Sequence, residues 1–128
     1  MIALRAALRE PALVTHLVLS ATSGGIDLSA YDAHDWRPAM RAAQPDLPDW
    51  FIRCRDDLTS NLATLRIPTL LLWGDADPIS PVAVGERLAG LLPRAQLHVF
   101  PAADHSLGSS LASRVAPLID AHLLSEHS

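Results

Sequence analysis

The sequence predicts an α/β fold in which three parallel strands form a sheet flanked by helices. Residues 69–73 are an uninterrupted run of β-branched, leucine and aromatic residues, which is typical of a strand buried on both faces. Gly74 and a polar loop follow, and Ser80 as N-cap with Pro81 at the first helical position predicts that a helix begins there. A second strand pattern at 96–100 then completes a parallel βαβ unit.

The remaining elements follow from apolar spacing and from prolines. Leu4 and Leu8 lie one turn apart in a predicted helix over residues 2–10, which Pro11 ends. Residues 17–19 form an apolar core in a predicted strand over 14–20. Helices are expected over 81–92, where Pro93 stops the helix, and within 110–124, where Pro117 should kink the helix or mark its first turn.

Residues 26–63 differ from the rest of the chain and predict a small helical insertion within a single domain of residues 1–128. This segment contains two of the three tryptophans and many aspartates and arginines. Its strongest helical pattern covers 49–62, where Trp50, Cys54, Leu58 and either Asn61 or Leu62 recur on one face.

Charge and composition exclude several classes of function. The net charge is −4 and the pI about 5.8, so the chain offers no basic surface to nucleic acid or to anionic lipid. No apolar run approaches the roughly 20 residues of a membrane span. Arg5 and Arg9 interrupt the N-terminal segment and argue against an export signal. The single cysteine, Cys54, cannot form an internal disulfide or a thiolate metal site. We therefore expect a cytoplasmic protein without a metal or cofactor.

Two candidate catalytic side chains follow two successive strands. Asp77 lies in the loop after 69–73, and His105 lies in the loop after 96–100. Neighbouring parallel strands lie about 4.8 Å apart, so the carboxylate would reach the imidazole and orient it as a general base. Each residue alone has a plainer interpretation, as a turn aspartate and a loop-packing histidine. Asp75 and Asp104 are alternative acids that could instead order the loops.

The order of these motifs resembles the α/β-hydrolase family. IPTLLLWGDADPISP resembles the family's seventh strand with its G-x-x-D acid loop, and FPAADHS resembles the loop that carries the catalytic histidine. Residues 1–25 are similar to the helix after the nucleophile and the sixth strand, and 26–63 to a shortened cap. The resemblance implies that Asp77 is the triad acid and His105 the general base. Ala102 and Ala103 depart from it, because glycine often precedes the histidine.

The resemblance also implies a substrate region in the cap. Trp36, Trp50 and Phe51 are the candidate substrate-binding residues, although aromatic side chains in so short an insertion are equally expected to form its core.

The family's nucleophile motif, G-x-S-x-G, does not occur between Met1 and Ser128. Ser20, Ser23, Ser80 and Ser106 are substitutes, but none has the strained elbow that the chemistry requires. We expect a serine-type ester or related hydrolase that carries the acid and histidine and is inactive alone, with a non-catalytic binding module as the alternative. A flavodoxin-like domain is disfavoured, because no glycine-rich phosphate loop follows a strand.

The strand at 14–20 would lack a neighbour on one side, and an open edge of this kind is normally covered. The mean hydropathy of +0.20 is high for so small a chain. We expect a homodimer, or a partner chain, that covers this edge and the helix over 2–10.

Overall fold

A computed structural model of the chain describes residues 1–53 and 57–126. Three parallel strands form one sheet in the order β1-β2-β3, with β1 at Leu17–Ser20, β2 at Thr69–Gly74 and β3 at Ala95–Phe100. The helices are α1 (Ile2–Arg9), α2 (Arg37–Ala43), α3 (Asp49–Arg53), α4 (Thr59–Leu62), α5 (Val82–Leu91), α6 (Leu107–Ser110) and α7 (Ala112–Leu123). The predicted fold class is confirmed.

Strand β2 is the centre of the molecule. All six of its residues are buried, because both faces of the sheet are covered by helices. Leu71 and Trp73 pack on one face, with side chains of α1 and α5; Leu70 and Leu72 pack on the other, with Val115 of α7. Both faces of this strand therefore need apolar side chains, which its leucine-rich sequence supplies.

The register brings the carboxyl ends of the strands to one edge of the sheet. Leu19 pairs with Leu71 across β1 and β2, and Gly74 pairs with Phe100 across β2 and β3. The loops after β2 and β3 consequently start side by side, as the adjacency of the two strand patterns predicts. This edge is where open parallel sheets place their chemistry.

Strand β1 is shorter than predicted. It begins at Leu17, where the Leu17 amide first donates to the Pro68 carbonyl at 3.0 Å. A short 3₁₀ turn at Pro11–Leu13 occupies the preceding residues. His16, which was expected inside the strand, precedes it, and its Nε2 donates to the Ser125 carbonyl at 2.9 Å.

The prediction of one continuous helix over 49–62 is wrong. Helix α3 is described over Asp49–Arg53, α4 begins at Thr59, and Asp57 and Leu58 are not helical. Asp57 accepts hydrogen bonds from the Thr59 amide and hydroxyl, and the Leu58 amide donates to the Gly25 carbonyl at 2.6 Å. These hydrogen bonds take the place of the i to i−4 backbone hydrogen bonds that a continuous helix would have. Cys54, assigned to the same helical face, lies outside the described residues.

Two helix details also differ from expectation. Ser80 is not the N-cap of α5: its hydroxyl donates to the Thr22 carbonyl at 2.9 Å, and Pro81 occupies the N-cap position. Pro117 lies in the interior of α7 and not in its first turn. Helices α2 and α6 were not predicted.

The division into one domain with a cap-like insertion at 26–63 stays a prediction. Helices α2, α3 and α4 lie in that segment, and the His34 amide joins it to the Pro78 carbonyl at 2.7 Å. Among residues 1–53 and 57–126, no helix combines the length and the apolar character that crossing a membrane requires.

Candidate functional site

Asp77 is held rigidly in the loop after β2. Its side chain is fully buried, and its Oδ1 accepts hydrogen bonds from the Ile79 amide at 2.8 Å and the Ser80 amide at 2.9 Å. Trp73 supports the same loop by donating its indole Nε1–H to the Ser80 carbonyl at 3.0 Å. The second carboxylate oxygen, Oδ2, is therefore free of the loop amides.

His105 lies against that second oxygen. Its Nδ1 is 2.8 Å from Asp77 Oδ2, and its side chain is 44% exposed, whereas the Asp77 side chain is 0% exposed. A carboxylate only accepts hydrogen bonds, so this contact selects the tautomer with the proton on Nδ1. Nε2 then carries a lone pair, which is the state that a general base requires.

Short backbone contacts join the two loops. The Asp75 amide donates to the Phe100 carbonyl at 3.2 Å, and the Ala76 amide donates to the Ala103 carbonyl at 3.0 Å. Gly74 makes the close approach possible, because a Cβ there would lie 2.1 Å from the Ala103 oxygen. The positions of Asp77 and His105 are thus set by strand register and by this packing.

Neither of the two alternative acids, Asp75 and Asp104, hydrogen-bonds to the His105 ring. Asp75 accepts from the Ala102 amide at 2.6 Å. Asp104 accepts from the Ser106 hydroxyl at 2.6 Å and from the Ser106 amide at 2.9 Å. The Ser106 hydroxyl and then its amide lower the pKa of Asp104 from its ordinary value, and the nearby His105 adds to this effect. Both aspartates order loops.

The chain has alanine where the α/β-hydrolase family often has glycine before the histidine, and one of these alanines has a backbone conformation typical of glycine. Ala102 adopts a φ of 57°, in the left-handed region that glycine occupies most readily. Sequence reasoning missed this conformation and the Asp75 contact that accompanies it. Pro101 followed by a small residue was the available signal, because proline favours the second position of such turns.

A small open cavity of about 280 Å³ lies beside the histidine. Its lining comes from both loops and consists of Pro78, Ile79, Asp104, His105 and Ser106. The predicted substrate-binding aromatic residues are not part of this lining.

Those aromatic residues contact one another in the insertion. The Phe51 ring lies 6.1 Å from that of Trp36 and 6.0 Å from that of Trp50, both edge to face. Trp50 is 66% exposed and Phe51 is 41% exposed. Most of the surface of Trp50 is therefore available for contact.

Two of the four candidate serines have hydroxyls that are hydrogen-bonded elsewhere, and the other two lie at the end of β1 and in the loop after it. Ser80 is buried and bonded to Thr22, Ser106 donates to Asp104, and Ser20 ends β1. Ser23 accepts from the Ile26 amide through its carbonyl. In the part of the chain that the structure describes, no serine or threonine hydroxyl hydrogen-bonds to the His105 ring. That same part contains no group of three or more potential metal-ligating side chains.

Comparisons with known proteins agree with the fold described above. The family profile described as alpha/beta hydrolase fold matches residues 55–109, which include β2, β3, Asp77 and His105. The chain therefore has part of the α/β-hydrolase fold. Two solved structures illustrate the likeness. A thermophilic esterase from Thermogutta terrifontis superposes with a TM-score of 0.75 at 23% identity, covering 99% of this chain and 62% of that chain. A 2-hydroxy-6-oxo-6-phenylhexa-2,4-dienoate hydrolase from Rhodococcus sp. strain RHA1 gives 0.78 at 15% identity, covering 97% and 60%.

The relatives found by sequence are much longer than this chain. A putative non-heme chloroperoxidase from Synechocystis sp. is 34% identical over 74 residues, which are 57% of this chain and 25% of that protein. A 2-hydroxy-6-oxononadienedioate/2-hydroxy-6-oxononatrienedioate hydrolase from Cupriavidus pinatubonensis is 41% identical over 49 residues, covering 38% and 17%. The chain thus matches a quarter or less of the length of these two relatives.

Proposed function

We propose that Asp77 and His105 are the acid and the general base of a serine-type hydrolase that acts on an ester or a related carbonyl substrate. The observation that carries the proposal is the 2.8 Å contact between His105 Nδ1 and the fully buried Asp77 side chain. The nucleophilic hydroxyl comes from another polypeptide or from a longer product that begins upstream of Met1. On this proposal, the chain of 128 residues is inactive alone.

The two residues have distinct steps in the reaction. His105 Nε2 removes the proton of the hydroxyl as its oxygen bonds to the substrate's carbonyl carbon, and the imidazolium is stabilised by Asp77. The proton then passes to the leaving alcohol as the ester C–O bond breaks, which leaves an acyl–enzyme. Water repeats the attack with His105 again as base, and the carboxylic acid is released.

The relatives support hydrolysis more than they specify a substrate. They include a hydrolase named for hydroxy-oxo-dienoate substrates and an esterase, beside a putative non-heme chloroperoxidase. The exposed faces of Trp50 and Phe51, with Trp36 beside them, would contact an apolar part of such a substrate.

The first test is p-nitrophenyl ester turnover by the purified chain and by its His105→Ala variant. We expect equal rates, no higher than the uncatalysed background. A robust rate that the substitution abolishes would place a nucleophile within residues 1–128 and overturn the proposal of inactivity.

The second test uses the DNA upstream of the Met1 codon. A continuous reading frame that encodes G-x-S-x-G should give a longer polypeptide with esterase activity. His105→Ala or Asp77→Asn in that polypeptide should lower kcat roughly 10²- to 10⁴-fold, whereas Ser109→Ala should not. A frame without the motif, and no rescue by a second polypeptide, would favour the alternative of a non-catalytic binding module.

A further inference from the structure

The turn that precedes His105 has an unfavourable conformation for its sequence. Residues 100–103 form a four-residue turn closed by the Ala103 amide, which donates to the Phe100 carbonyl at 3.3 Å. Pro101 is at its second position, and Ala102 is at its third with a φ of 57°. A type II turn has this pattern and favours glycine at the third position, because a Cβ there is strained.

An alanine at that position would be relaxed in a type I turn. The two turn types differ mainly by rotation of the peptide group between the second and third positions. That peptide group carries the Ala102 amide, so its N–H points to opposite sides of the turn in the two types. Only one orientation directs the N–H at the Asp75 carboxylate.

Asp75 supplies the interaction that favours the strained orientation. Its Oδ1 accepts the Ala102 N–H at 2.6 Å, and a hydrogen bond to a charged acceptor is stronger than one between neutral groups. Ala103, the residue after Ala102, accepts a hydrogen bond from the Ala76 amide and packs on Gly74. His105 follows two positions after Ala103. The turn therefore controls where the imidazole lies relative to Asp77.

We infer that Asp75 is a positioning residue for His105: its carboxylate holds the turn at 100–103 in the conformation that presents the imidazole to Asp77. The inference rests on the proposed acid–base role of the pair. Asp75 acts through the Ala102 amide.

Nitrogen-15 NMR of the His105 ring tests this directly. The contact with Asp77 requires the proton on Nδ1, whereas a free neutral histidine side chain prefers Nε2, so the ring shifts report the paired fraction. At a pH where the ring is neutral, Asp75→Ala should shift the equilibrium about five-fold toward the unpaired ring, as the loss of one hydrogen bond does. An unchanged tautomer ratio would overturn the inference.

Two further variants separate positioning from general loss of structure. Asp75→Asn keeps a neutral acceptor at Oδ1, so its ratio should lie between those of the wild type and Asp75→Ala. Ala102→Gly added to Asp75→Ala removes the strain and should restore the ratio. If neither variant recovers the ratio at least in part, although its backbone spectrum remains that of the folded protein, the inference is contradicted. If Asp75→Ala alone does not fold, the same two variants are measured, and the inference is again contradicted when neither recovers the ratio.

Asp77→Asn distinguishes this inference from the proposed function. That variant should move the proton from Nδ1 to Nε2, because the amide now donates to Nδ1. If Asp77→Asn changes the ratio and Asp75→Ala does not, the inference fails and the pair stands. If neither changes it, the pair itself fails.

Discussion

At the scale of single residues, the Asp77 carboxylate has two tasks. Oδ1 accepts two loop amides and Oδ2 accepts the His105 ring. A side chain with these contacts is needed for the fold of the loop whether or not a reaction takes place. Its effect on stability and its effect on chemistry are therefore expected to separate in suitable variants.

Asp77→Ala should lower the free energy of unfolding by about 2–4 kcal/mol, because it leaves two loop amides without an acceptor. Asp77→Asn keeps the Oδ1 acceptor and should cost less than half as much. Urea denaturation of the two variants measures the difference. Equal losses would show that the Oδ1 contacts contribute nothing.

Ala102→Gly should raise the free energy of unfolding by about 0.5–1 kcal/mol, because glycine tolerates the left-handed φ. The matched control is Ala76→Gly in the neighbouring loop, which has no positive φ to relieve and should lower it by a similar amount. A loss of stability in both variants would contradict the turn conformation described above.

The Asp104 contacts should make stability depend on acid pH. The Ser106 hydroxyl lowers the pKa of Asp104 below its ordinary 3.8, so the stabilisation is present above that value and is lost as pH falls through the lower folded-state pKa. Ser106→Ala should therefore destabilise the chain at pH 6 and have little effect near pH 2. Urea denaturation at the two pH values measures this, and an effect that grows in acid would contradict it.

At the scale of elements, two of the three strands were predicted correctly from the pattern of apolar residues. A helix boundary that depends on individual hydrogen bonds was not. Strands β2 and β3 were predicted within one residue, β2 from its uninterrupted apolar run at the sheet centre and β3 from its alternation of apolar and polar residues at the sheet edge. The break at Asp57 and Leu58 depends on a side-chain contact with Thr59 and on a backbone contact with distant Gly25. Apolar periodicity carries no information about such contacts.

Two glycines of α5 offer a matched test of its packing. A Cβ at Gly85 would lie 2.7 Å from the Trp73 ring, whereas at Gly90 it would meet nothing within 4 Å. Gly85→Ala should lower the free energy of unfolding by about 1–3 kcal/mol, and Gly90→Ala should raise it by about 0.5–1 kcal/mol. Thermal or urea denaturation compares them, and similar effects of both would show that α5 does not pack on Trp73 as described.

At the scale of the whole molecule, strand β1 is an edge strand of the sheet. The Leu17 and Ala21 amides donate to the Pro68 and Leu72 carbonyls, so the alternating pattern directs the amides of Val18 and Ser20 away from the sheet. Ile2 on α1 is 80% exposed. The homodimer or partner chain expected from the sequence would cover this edge, and it stays a prediction.

Ser20→Pro tests the dimer by removing one outward-facing amide from β1. We expect light scattering at micromolar concentration to give a dimer for the unsubstituted chain and a larger monomer fraction for Ser20→Pro. Val99→Pro makes the equivalent change on the outer side of β3 and should leave the dimer intact. A well-folded monomer of the unsubstituted chain would refute self-association.

The candidate site was partly predictable for a simple reason. Asp77 and His105 follow adjacent parallel strands, and the chain order alone brings such loops together. The contribution of Asp75 could not be predicted, because it depends on the orientation of one peptide group at Ala102. Whether Trp36, Trp50 and Phe51 bind substrate also stays a prediction.

On the proposed function, Asp77 holds His105 as a neutral base with its free electron pair on Nε2. Nitrogen-15 NMR of the unsubstituted chain, at a pH where the ring is neutral, measures the proton position most directly. We expect His105 to carry its proton mainly on Nδ1. A ring with the proton mainly on Nε2, as in free histidine, would contradict it.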